Sequence, residues 1–280
     1  MTGPGPDYPE SVPPTRDGAG VAFLPCMSRK RRADYTDTVV HVLNRSVRRA
    51  ILFPDPEDYA AFERVLIETW MRLPMRVLAW CVMPNHWHLL LWPSHRLELP
   101  VFMHRLTMTH AVRWHHHRAT RGTGPVYQGR YRVSPVEPDN VSLFRVCRYV
   151  ERNALRAGLV ESAREWRWGS LWHRLDGNRA GLLTPGPVAL PPQWQEMVDE
   201  AHTKGEIADL QRCMRRGAPI GSPKWTQEAT VRFGLQDTLR KPGGQPGKRY
   251  RGIRSPGRST EAARDTATAQ GAPEDVVGGG

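Results

Sequence analysis

Val77-Leu78-Ala79-Trp80-Cys81-Val82-Met83-Pro84-Asn85-His86-Trp87-His88-Leu89-Leu90-Leu91-Trp92 is the stretch that decides the architecture. Residues 77–83 are almost continuously apolar, as a strand covered on both faces would be. Pro84-Asn85 supplies a turn, and 86–92 returns as a second strand. Side chains alternate along a strand, so His86 and His88 share one face while Trp87, Leu89 and Leu91 share the other. One face is anchored in a core. The other carries two adjacent imidazoles, a ready pair of metal ligands.

Working outward, a β-branched strand is expected over Thr38–Leu43. Asp55 reads as an N-cap with Pro56 at the first helical position and acids in the first turn, opening a helix to about Leu73. Tyr59, Phe62, Leu66 and Trp70 form its apolar stripe. A second helix is predicted over 97–117, a fourth strand over Val126–Val136, and a third helix from Asp139 to Gly158, a natural C-cap position. The order β-α-β-β-α-β plus a helix is the ferredoxin-like split βαβ arrangement, an α+β antiparallel sheet. It predicts helices on one face and the other face free for a ligand. Trp166, Trp168 and Trp172 are expected to staple the following segment onto the sheet, their apolar area outweighing a role in stacking on bases.

One folded domain is therefore expected over 34–178, with a helical C-terminal extension over 190–240. A basic Pro/Gly-rich arm (1–33) and tail (241–280) are expected to be disordered. The 280 residues carry a net charge of +12, with 40 Lys and Arg against 28 Asp and Glu. That balance favours a polyanionic partner, and nucleic acid over an anionic membrane because no lipidation motif or basic amphipathic anchor is present. The four cysteines are widely spaced with no C-x-x-C pair, which disfavours a zinc ribbon or disulfide framework and fits a reducing, cytoplasmic setting. No signal-peptide pattern or membrane-length apolar run is read.

On the third helix, Tyr149 and Asn153 lie one turn apart on the flank of the apolar stripe Leu143, Val146, Cys147, Val150 and Ala154. They can present a phenol and an amide oxygen to one locus. Tyr127 and Tyr131 are alternative nucleophiles, although their basic strand reads better as packing or DNA-facing. Asn153 as the cap of a carbonyl is also open, and His41 falls in either core or cleft.

Four segments together resemble the HUH (His-hydrophobic-His) single-tyrosine transposases, in particular the REP-associated branch: Val40-His41-Val42-Leu43-Asn44-Arg45, Val82–Leu90, Gln128-Gly129-Arg130-Tyr131, and Tyr149–Val160. The resemblance spans about residues 35–175. Ala154 stands where that family often has proline, and Arg152 adds charge; both bear on where the helix ends. The likeness implies that His86, His88 and Asn153 hold a divalent cation, Mg²⁺ or Mn²⁺, acting as a Lewis acid on a phosphoryl oxygen. It implies Tyr149 as the nucleophile forming a 5′-phosphotyrosine; on physical grounds the nearby cations Arg145 and Arg156, with the metal, are expected to favour its ionisation. Arg45, Arg130, Arg132, Arg145 and Arg156 would contact DNA that is single-stranded or folded as a hairpin. Monomer and homodimer are equally compatible. The competing reading is a noncatalytic nucleic-acid-binding module on the same fold, with a phosphodiesterase using activated water behind it.

Overall fold

The structure, a computed structural model, describes residues 33–177 and 181–239. The expected arm and tail lie outside the described residues, Ala33 apart. Strands β1 (Val40–Arg45), β2 (Arg76–Met83), β3 (His86–Trp92) and β4 (Arg132–Pro135) form one sheet in the order β2-β3-β1-β4, every neighbouring pair antiparallel. β1 and β2 therefore run the same way with β3 between them, which is the split βαβ topology.

Helix α1 (Pro56–Arg72) starts where the Asp55 carboxylate accepts the backbone N–H of Asp58 at 3.1 Å. Such a cap is worth about 1 kcal/mol. Together with α2 (Glu98–His117) it covers one face of the sheet, and Phe62, Leu66, Phe102 and Leu106 pack on Val40, Val42, Trp87, Leu89 and Leu91. Trp166 is tied to the Val82 carbonyl at 3.0 Å, and Trp168 stacks on Tyr59 with centroids 5.3 Å apart, so both act as staples.

The second face is not free, contrary to expectation. Helix α3 (Asn140–Glu151) lays Leu143, Val146, Cys147 and Val150 on Leu78, Ala79, Cys81, Met83 and Leu90. A bulge between Val77 and Ala79 allows β2 to feed two successive side chains, Leu78 and Ala79, into this layer. Helices α6 (Trp194–Asp199) and α7 (Lys204–Arg216), both from the extension, add Trp194, Val198, Leu210 and Met214 to the same cluster. The apolar stripe of α3 needed a partner, and β2 provided one. What stays open is a cleft at the end of β1 and β3 where the histidines stand.

Two boundaries also differ. β4 begins at Arg132 instead of Val126, because Val126 and Tyr127 turn into the core while Gln128 bonds back to the Arg45 carbonyl at 2.9 Å. The third helix is interrupted at Arg152 and resumes as α4 (Asn153–Arg156). It ends as expected at Gly158, which adopts φ +68°. There Leu159 N–H donates to the Ala154 carbonyl and Gly158 N–H to that of Leu155, both at 3.0 Å, the paired bonds of a Schellman stop. Helices α5 (Ser170–Leu175), α8 (Pro223–Arg232) and α9 (Gln236–Leu239) complete the described chain.

A single carboxylate locks α3 in place. Glu151, 2% exposed, accepts from Ser170 Oγ at 2.5 Å, Arg174 Nε at 2.9 Å and Trp194 Nε1 at 2.7 Å. The helix that carries Tyr149 is thereby fixed to α5 and α6.

Candidate active site

Strand pairing sets the histidines in place. His86 stands opposite Arg45 and His88 opposite Leu43 across the β1–β3 ladder. Their rings lie 5.0 Å apart, centre to centre. The Nδ1 of His86 meets the Asn85 side-chain oxygen at 2.6 Å, so that nitrogen carries the proton and Nε2 keeps its lone pair. The Nδ1 of His88 meets Nε2 of His41 at 2.8 Å. His41 thus belongs to the layer behind the site, resolving the choice left open by sequence. Burial foremost, with the cations of Arg45 and Arg156, brings His86 down to about 3. Burial foremost, with His86 and His41 next, holds His88 well below the usual imidazole range. Both rings are therefore neutral, the form that binds metals.

Tyr149 comes from α3, 5% exposed, with its ring edge-on to His88 at 5.8 Å and the Arg156 guanidinium 5.1 Å over its face. The phenol and the imidazoles, distant in sequence, share one cleft of about 770 Å³. Its lining includes Arg45, Arg49, Arg130, Arg132, Arg156 and Arg215 and no carboxylate. Arginine forks crowded together without an acidic partner are suited to bidentate phosphate recognition. The crowding is evident at Arg45, whose pKa is lowered by burial first and by Arg49 next.

Two expected residues are placed differently. Asn153 is fully buried and does not line the cleft; its Oδ1 accepts from Arg156 at 2.6 Å, while its Nδ2 has no hydrogen-bond partner. Arg145 is also outside the lining, directed to Asp209 at 3.7 Å. The alternative tyrosines lie on the opposite face. Tyr127 Oη accepts from Trp87 Nε1 at 3.1 Å and bonds His110 Nδ1 at 2.7 Å, and Tyr131 packs in the same core. Burial pushes the Tyr127 hydroxyl upward, away from nucleophilic use.

Among the described residues no cluster of three or more His, Cys, Asp or Glu side chains forms a metal site. Two neutral imidazoles on one face nonetheless suit a divalent ion, while the unbonded atom of Asn153 is its amide nitrogen, which cannot bind a cation, and its oxygen is taken by Arg156. Sequence reasoning passed over Arg49 and Gln211, and gave Arg215 no role in the cleft. Arg49 had only the signal of a basic turn, and Gln211 sits on the extension, where nothing local marks it; Arg215 opens the segment Arg215–Gly221, which resembles a C-terminal helical extension found in some HUH transposases, a likeness that says nothing of the cleft.

Residues 34–153 match the family model described as transposase, IS200 like. Comparison with curated proteins yields no match. Among solved structures, a REP-associated tyrosine transposase bound to a REP hairpin is 17% identical, with 63% of this chain and 93% of that one covered at a TM-score of 0.46. A protein described as a transposase from Deinococcus radiodurans is 23% identical, with 39% and 86% covered at 0.31. Likenesses this loose carry over no residue correspondences.

Proposed function

From the match of residues 34–153 to the IS200-like transposase family, we propose that this chain is a member and that it cuts and joins single-stranded or hairpin DNA through a covalent bond to Tyr149. Its class is that of a DNA transposase. The finer reading places it in the REP-associated branch, acting on palindromic repeat DNA.

The observation that carries the reading is Tyr149 set between the His88 ring edge and the Arg156 guanidinium, in an arginine-lined cleft without acids. Tyr149 Oη attacks the scissile phosphorus and gives up its proton. The bond from phosphorus to the 3′ oxygen breaks, that oxygen takes a proton, and a 5′-phosphotyrosine remains. The 3′-hydroxyl can later attack the same phosphorus, so joining needs no nucleotide hydrolysis. Arg45, Arg130 and Arg132 hold the backbone on either side, and Arg156 offsets charge on the phosphate.

His86 and His88 are the residues that would hold Mg²⁺ or Mn²⁺, which would supply Lewis-acid polarisation of a phosphoryl oxygen. For His88 this requires the proton on Nδ1, donated to His41, leaving Nε2 towards the cleft. Asn153 is the third candidate ligand. Its oxygen is held by Arg156, and a phosphate competing for that guanidinium would release it.

The test uses hairpin oligonucleotides labelled at one end or the other, incubated with Mn²⁺ and run on a denaturing gel. The 3′-labelled substrate is expected to label the protein, and the 5′-labelled one to yield a shorter strand ending in a 3′-hydroxyl. Cleavage without an adduct would show activated water to be the nucleophile. Binding without cleavage would reduce the protein to a noncatalytic module.

A further inference from the structure

We propose that helix α7 is a substrate-binding wall of the cleft, with Gln211 and Arg215 gripping the sugar–phosphate backbone of the strand that Tyr149 attacks. This rests on DNA being the substrate. Both residues lie beyond the segment 34–153 that matches the transposase family, so the wall belongs to the extension.

Gln211 and Arg215 are one helical turn apart and so share a face of α7. Both are exposed and both line the cleft, with Met214 beneath them buried against the core. Neither side chain has a hydrogen-bond or ion-pair partner among the described residues. Arg212, one step round the helix, is engaged by Asp209 instead and does not reach the cleft. A guanidinium and a carboxamide side by side offer a phosphate fork and a second donor, a pairing suited to a nucleotide backbone.

The wall is also firmly attached, so it keeps its place when DNA arrives. The Arg132 guanidinium donates to the Arg215 carbonyl at the negative end of α7, a favourable charge–dipole contact. Gly217 at φ +70° brings the helix end against β4, where a Cβ would stand 3.0 Å from the Val133 carbonyl. Beyond it, Ile220 N–H donates to the Pro135 carbonyl at 2.8 Å and Glu137 N–H to that of Ile220 at 2.9 Å. The chain after α7 thus continues the edge of the sheet that carries Arg132.

The experiment measures binding of a fluorescent single-stranded oligonucleotide to the full chain by anisotropy, without metal, over a range of salt. Arg215→Ala is expected to weaken binding about tenfold and to lower the salt slope by about 0.7, with the melting temperature unchanged. Arg215→Lys should restore the slope but only part of the affinity, since a point charge replaces the fork. Arg212→Ala should stay within about twofold of the parent. If Arg215→Ala and Arg212→Ala bind alike, the wall is disproved while the transposase reading stands. A parent protein that fails to bind the oligonucleotide overturns both.

Discussion

Each face of the sheet carries a histidine set against a tyrosine, and the two pairs have opposite fates. Under α1 and α2, His110 and Tyr127 satisfy one another, and Trp87 donates to the same hydroxyl, sealed in apolar surroundings. Under α3, His88 is braced from behind by His41, and Tyr149 meets it ring to edge in a cleft ringed by arginines. The residue types match. A site arises where hydrogen-bonding capacity is left uncommitted and a path for a ligand exists; where every donor has its acceptor, the same chemistry is only structure.

The sharpest way to break this contrast is to remove each hydroxyl in turn. Tyr149→Phe is expected to abolish the covalent adduct on the labelled-hairpin gel, a loss of a thousandfold or more, whereas Tyr127→Phe should retain it. An adduct persisting in Tyr149→Phe would place the nucleophile elsewhere. The next largest effect lies in the scaffold beneath the reactive face. Glu151→Ala strands the Arg174 guanidinium and should cost about 3–5 kcal/mol in a denaturant titration. A cost below about 1 kcal/mol would show that α3 is held by its apolar stripe alone.

The brace behind the site comes third. His41→Phe keeps the ring-sized volume but removes the acceptor that orients His88, and should weaken Mn²⁺ binding by about 10–100-fold, read by electron paramagnetic resonance of the free ion. Unaltered affinity would return His41 to a packing role. The sealed face contributes to the acid limit of the fold. Burial brings His110 down to about 3, against about 6.5 in the unfolded chain. The unfolded state therefore binds the extra proton, and this histidine's contribution is complete above pH 6.5 and lost as pH falls towards 3. In that window His110 should contribute about 1.4 kcal/mol per pH unit to the slope, beside the like contributions of His41, His86 and His88, and His110→Gln should lower the slope by that amount. The smallest effect is that of Tyr127→Phe on stability, about 1 kcal/mol for the lost acceptor of Trp87.

Much of the architecture was legible because periodicity reports burial. The alternation in His86–Leu91 assigned faces correctly, and the cap at Asp55 and stop at Gly158 marked helix ends through local chemistry. The covered second face was harder to read. The apolar run 77–83 did signal a doubly buried strand, yet which elements cover it depends on how α3 and the extension dock, a tertiary choice with no local signature. The same holds within the site. Tyr149 and the histidine pair were visible as motif residues, and the structure brings them into one cleft. The hold of Arg156 on Asn153, the diversion of Arg145 to Asp209 and the arrival of Arg215 from residues away are set by packing across long sequence separations.

Glu151 has a practical corollary for dissecting this protein. The carboxylate stands just inside the family-matched segment, but Ser170, Arg174 and Trp194, which neutralise it, all come afterwards. A fragment trimmed at residue 153 would retain every aromatic and imidazole group of the reaction centre while leaving an anion marooned in hydrocarbon. Such a piece should be soluble only with difficulty and inert for reasons unrelated to its chemistry. The smallest self-sufficient enzyme must run at least through Trp194.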